Sequence, residues 1–206
     1  KVINAIEKQL KKHLHVMVYG EFIQETPTLL AKELINILPK NQEVLYLTNS
    51  GTESVEGAIK LAKRATKRYE IISAKGSYHG STQGSLSILG IESQKKGYRP
   101  LIPFSKVIEY NNENDLKKIT KKTAAVILET IQGGAGFILP QDNYLRKVKS
   151  RCKKVGALLI LDEIQTGFGR TGKFFGFELF NVTPDIIVIG KAMGGGLPIG
   201  GFTSSK

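Results

Sequence analysis

"LILDEIQTGFGRTG", residues 159–172, is an apolar run that stops at two adjacent carboxylates, Asp162 and Glu163, and passes into a glycine-rich segment carrying Arg170. The full run ALLILDE (157–163) is apolar rather than alternating. It reads as a strand covered on both faces, as in a parallel sheet flanked by helices. A carboxylate at the end of such a strand is costly to bury unless a cation or hydrogen-bond donors meet it. Residues two apart share a strand face, so Ile164 stands on the side of Asp162.

Further strands are read at VLYLT (44–48), EIISA (70–74), KVIEY (106–110), AAVILET (124–130) and DIIVIG (185–190), several of them apolar throughout. Helical stripes lie between and before them. Val2, Ile6 and Leu10 share one face, as do Leu30, Leu34, Ile37 and Leu38, with Thr26 and Pro27 as a cap and first-turn pair. Val55, Ala58, Ile59 and Ala62 form another stripe, TQGSLSILG (82–90) reads as helical, and a further helix covers about 141–155. Strands alternating with helices predict an α/β fold with a mostly parallel, doubly wound sheet. Ligands of such sheets gather beyond the carboxyl ends of the strands. Asn49, Tyr78 with His79, Glu129, Asp162 and Lys191 all stand at those ends. That is the pattern of an enzyme.

A chain of 206 residues with 41% hydrophobic residues is large enough for one domain or a large piece of one. It has neither a membrane-length apolar run nor a signal-peptide pattern. It starts at Lys1 without methionine and stops at Lys206 in mid-pattern, so both ends are expected to be truncations. The single cysteine, Cys152, fits a reducing, cytoplasmic setting. The net charge of +12 comes partly from lysine pairs such as Lys117-Lys118, Lys121-Lys122 and Lys153-Lys154. With no zinc-finger spacing or RNA-binding motif, these read as solvated surfaces that attract small anions, not as a nucleic-acid interface, and no metal site is expected.

Three stretches carry the chemistry. In TNSGTES (48–54) a strand meets a helix through small residues, and the first helical N–H groups, bearing roughly half a positive charge, suit a phosphate. An ordinary helix cap by Asn49 or Ser50 reads the same way. In GKAMGGGLPIGG (190–201), Lys191 follows a strand and precedes three glycines, a setting for an amine nucleophile toward aldehydes. With Asp162, these match the three handles of pyridoxal phosphate: phosphate, aldehyde and pyridinium nitrogen.

TNSGTESVEGAIKLAKRA, SYHGST, ETIQGGAGF, LLILDEIQTGFGRTGKFFGFE and PDIIVIGKAMGGGLPIGGF occur in this order. In this the chain resembles the class III pyridoxal-phosphate aminotransferases, among them acetylornithine, ornithine and 4-aminobutyrate aminotransferases. The resemblance implies a fold-type I large domain over residues 26–206, led by an N-terminal segment over 1–25, with a C-terminal small domain outside the chain. It implies that Lys191 bonds covalently to the cofactor and moves the proton. Asp162 pairs with the ring nitrogen and Gln165 with the ring oxygen. Tyr78 and Ile164 flank the ring, amides around Ser50, Gly51 and Thr52 hold the phosphate, and Glu129 lies beside the ring.

His79 and Arg170 sit in family motifs without a role derived from the residues, and Arg170 is expected to tie down the loop after its strand. His13 and His15 carry no motif. Three positions depart from the family pattern: Thr130 for a frequent Pro, Gly134 for a Glu that pairs with a substrate-binding Arg, and Ser81 for a frequent Arg. The implied activity transfers an amino group, often a terminal one, from an amino acid or amine to a 2-oxo acid such as 2-oxoglutarate, in a homodimer. The family's substrate-carboxylate Arg and partner-donated Thr lie beyond Lys206, so efficient turnover is not expected of residues 1–206 alone. A class III aminomutase is the alternative within catalysis. A non-catalytic basic protein, binding anionic polymers with steep salt dependence, is the alternative outside it.

Overall fold

The computed structural model describes residues 1–13 and 22–206, in two compact units, Lys1–Leu38 and Pro39–Lys206. His15 lies outside the described residues. In the first unit, α1 (Val2–Lys12) and α2 (Glu25–Ile37) are joined by the Lys12–Glu25 ion pair at 2.8 Å. The division between the two units falls after α2. Thr26 is not the cap of α2: the helix begins at Glu25 behind Gln24, whose carbonyl accepts from the Thr28 amide at 3.3 Å. Pro27 still sits in the first turn, where its missing N–H costs nothing. His13 ends α1 and is exposed. No described helix is long and apolar enough to cross a membrane.

The second unit is built on a seven-stranded sheet in the order β1-β7-β6-β5-β4-β2-β3. The strands are β1 (Val44–Thr48), β2 (Glu70–Ala74), β3 (Ser105–Ile108), β4 (Thr123–Glu129), β5 (Leu158–Asp162), β6 (Ile186–Ile189) and β7 (Gly200–Ser204). From β6 to β3 every pairing is parallel, and β7 runs antiparallel to both β6 and β1. Two antiparallel pairings in succession restore direction, so β1 points the same way as the parallel strands. All strands but β7 thus deliver their carboxyl ends to one edge. This is a fold-type I α/β architecture.

Helices cover both faces because the central strands are apolar on both. The stripe Val55, Ala58, Ile59 and Ala62 of α3 (Gly51–Thr66) packs with Ile127, Ile160, Ile186 and Val188. Each fully buried Ile or Val contributes roughly 1.5–3 kcal/mol. Further along lie the short helices α4 (Gln83–Ser87) and α5 (Glu92–Lys95). On α6 (Tyr144–Val155), Leu145, Val148 and Cys152 are buried. This helix starts later than the expected 141, because Asp142 and Asn143 take left-handed φ of 43° and 61° in the turn that precedes it.

Burial pushes the Cys152 thiol up to about 12. We predict that Cys152 resists thiol-specific alkylation at neutral pH in the folded protein and reacts promptly once denatured. Rapid native labelling, followed by mass spectrometry, would contradict the burial of α6.

Candidate active site

Asp162 continues the face of Ile160 one step past the core, and Glu129, its register neighbour on β4, does the same beyond Ile127. Both carboxylates reach the floor of a cavity of about 460 Å³ at the carboxyl edge of the sheet. Gly51, Thr52, Tyr78, Ile164, Gln165 and Lys191 line it as well. The sheet therefore gathers residues from five separate strand ends into one site, within the size range of small-molecule pockets.

Within the chain, Asp162 meets His79. Oδ2 lies 2.8 Å from His79 Nδ1, and Oδ1 accepts from the Ile164 amide at 3.1 Å. The His79 side chain has no solvent exposure and its Nε2 has no partner among the described residues. A buried, unpaired N–H costs more than an unused lone pair, so the geometry favours a neutral ring with its hydrogen on Nδ1, donated to Asp162. Asp162 is thus held from both sides. Sequence reasoning found His79 in a motif but had no signal for this bond, because the partners are far apart in the chain.

Lys191 follows Gly190 at the end of β6 with a left-handed φ of 45°, a conformation costly for a residue with a side chain. Its Nζ donates to Gln165 Oε1 at 2.6 Å. At the start of α3, Ser50 Oγ accepts from the Glu53 amide at 3.3 Å while Glu53 Oε2 accepts from the Asn49 amide at 2.7 Å. In this reciprocal cap the Ser50 hydroxyl oxygen is the acceptor, and Ser50 is not among the residues lining the cavity. Gly51 and Thr52 do, and their amides are the first of the helix, without intrahelical acceptors. A Cβ at Gly51 would come 2.7 Å from Ile164 Cδ1, so a side chain there would have to displace Ile164.

Glu129 accepts from the Tyr78 amide at 2.9 Å and the Gly133 amide at 2.8 Å, clamping two loops at the cavity. Burial pushes its carboxyl up, opposed by the hydrogen bonds it accepts from the Tyr78 and Gly133 amides. Ser81 and Gly134 also line the cavity, and a Cβ at Gly134 would press to 3.2 Å from Tyr78 Cβ.

Glu163 points away from this chemistry. It is fully buried, and each of its oxygens accepts one hydroxyl and one amide: Thr130 at 2.6 Å with Phe177 at 2.8 Å, and Thr166 at 2.7 Å with Gly176 at 2.8 Å. Thr130, where the family pattern has Pro, therefore supplies a hydroxyl to this anchor. Arg170 does not tie the loop down as expected. It is exposed and makes no hydrogen bond or ion pair among the described residues. Glu163 and the packed rings of Phe168, Phe174 and Phe175 hold that loop instead.

A glycine-lined cavity with an amine, a buried carboxylate and a helix start defines a small-molecule site on a fold-type I domain. The chain belongs to the class-III aminotransferase family, whose model matches residues 1–206. The acetylornithine aminotransferase of Clostridium acetobutylicum is 41% identical over 214 residues, covering all of this chain and 54% of that protein. The putrescine aminotransferase of Pectobacterium atrosepticum is 41% identical over 217 residues, covering all of this chain and 46% of that protein. A transaminase from the marine bacterium Virgibacillus superposes with a TM-score of 0.92 at 30% identity, over 99% of this chain and 50% of that one. The chain spans about half the length of the curated relatives it matches.

Replacing Glu163 by Gln should destabilise the fold, because either orientation of the amide points its NH2 at a backbone N–H. The expected loss is about 1–3 kcal/mol, measured by urea unfolding. An unchanged midpoint would contradict the anchor.

Proposed function

We propose that this chain is the cofactor-binding part of a pyridoxal-phosphate-dependent aminotransferase. It would move an amino group, often a terminal one, from an amino acid or amine to a 2-oxo acid such as 2-oxoglutarate. The observation that carries this reading is the arrangement of three groups around one cavity: the Lys191 amine, the Asp162 carboxylate and the Gly51–Thr52 helix start. The residues fit the group: Gly51 and Thr52 bring amides without intrahelical acceptors to the cavity, and Asp162 is buried there with one donor on each oxygen.

When bound, pyridoxal phosphate supplies an aldehyde for the amine and a ring that takes up electrons from the carbon beside the nitrogen. Lys191 Nζ would attach the cofactor and afterwards accept and return the proton, with Gln165 beside it as a hydrogen-bond partner. Asp162 would hold a positively charged N–H against its carboxylate, and His79 would keep that carboxylate oriented and ionised. The Gly51 and Thr52 amides would bind the phosphate. Tyr78 and Ile164 would flank the ring and exclude water, with Glu129 fixing the Tyr78 backbone.

We further infer a cytoplasmic homodimer, in keeping with the lone buried thiol and with Phe137, which lines the cavity yet remains 67% exposed. The arginine for the substrate carboxylate and a partner-donated threonine would come from protein beyond these residues, as would a small domain.

Borohydride treatment of the complete protein with pyridoxal phosphate should fix the cofactor to the peptide containing Lys191. Recovery on any other lysine would overturn the assignment.

A further inference from the structure

Thr52 and Glu56 lie four residues apart on α3 and so face the same way. What they face is the segment of residues 79–85, whose His79, Gly80 and Ser81 form one wall of the cavity. Glu56 does not line the cavity. Its Oε1 accepts from Thr82 Oγ1 at 2.6 Å, the Gly84 amide at 2.7 Å and the Ser85 amide at 2.9 Å, while Oε2 takes no hydrogen bond among the described residues. Thr52 Oγ1 sits 2.8 Å from both Thr82 Oγ1 and Ser85 Oγ, and accepts from the Thr82 amide at 3.3 Å.

The approach is close enough to crowd two glycines. A Cβ at Gly80, whose φ is 126°, would lie 2.3 Å from Thr52 Oγ1, and one at Gly84 would lie 2.1 Å from Glu56 Oε2. In HGSTQGS (79–85) one glycine thus borders Thr52 and the other Glu56. A carboxylate this near an anion-binding helix start is electrostatically unfavourable for phosphate, so charge is not the reason for its presence. An acceptor able to take three donors on one oxygen is.

We infer that Glu56 is a positioning residue for the phosphate end of the cavity. Through Thr82, Gly84 and Ser85 it fixes the wall opposite the α3 start and holds the Thr52 hydroxyl in register with the Gly51 and Thr52 amides. This rests on the cofactor reading above.

The test titrates cofactor-stripped complete protein with pyridoxal phosphate and, separately, with pyridoxal, following absorbance. Glu56→Ala should lose about tenfold in affinity for pyridoxal phosphate and nothing for pyridoxal. Glu56→Gln should restore the loss, because its amide oxygen can accept the same three donors. Thr82→Val, which keeps the two amide bonds to Glu56, should lose less, and it carries the test if Glu56→Ala does not fold. Equal losses for both compounds, or a Glu56→Gln variant as weak as Glu56→Ala, would overturn the inference. A wild-type protein that binds neither compound would overturn the cofactor reading and this inference with it.

Discussion

A carboxylate buried at the end of a sheet strand is costly unless donors meet its oxygens. For Asp162 these are the imidazole of His79 and the amide of Ile164. Much of the site follows from meeting that requirement. β2 and β5 are separated in the sheet by β4, so His79 can reach Asp162 only from the loop that leaves β2 and folds over the carboxyl edge. Glu129, at the end of the strand between them, pins that loop through the Tyr78 amide. The turn that brings the Ile164 amide back to Asp162 also sets Ile164 against Gly51.

The neighbouring carboxylates divide their work by facing opposite sides of the sheet. Asp162 points into the cavity, while Glu163 gathers four donors from three segments and holds the loop behind it. Alternation along a strand makes this division unavoidable for adjacent residues. Glu56 repeats the device on α3, taking three donors on one oxygen. The site is thus framed by carboxylates that serve as hydrogen-bond acceptors, while Lys191 is the one basic residue among those lining the cavity apart from His79.

Apolar runs made six of the seven strands legible in the sequence, and with them the strand ends where Asp162, Glu129 and Lys191 stand. β7 escaped because GGFTS begins with two glycines and offers no apolar run, although it closes the sheet between β1 and β6. A Cβ at Gly201 would lie 2.9 Å from the Tyr46 carbonyl, so close strand approach, not propensity, selects that glycine. Residues that carry the chemistry were readable because each combined an unusual residue type with a strand end. Their supports were not: His79 and Glu56 act through long-range contacts that no local pattern encodes. Arg170 shows the converse, a prominent motif residue for which the described structure provides no partner.

The account stands on Asp162 acting as an anion held against a positively charged ring nitrogen. Asp162→Asn keeps the volume and removes the charge. In the complete protein, single-turnover absorbance measurements with amino donor should show the first half-reaction slowed by about a hundredfold or more, with the thermal unfolding midpoint little changed. A near-normal half-reaction rate in a folded, cofactor-loaded variant would contradict it.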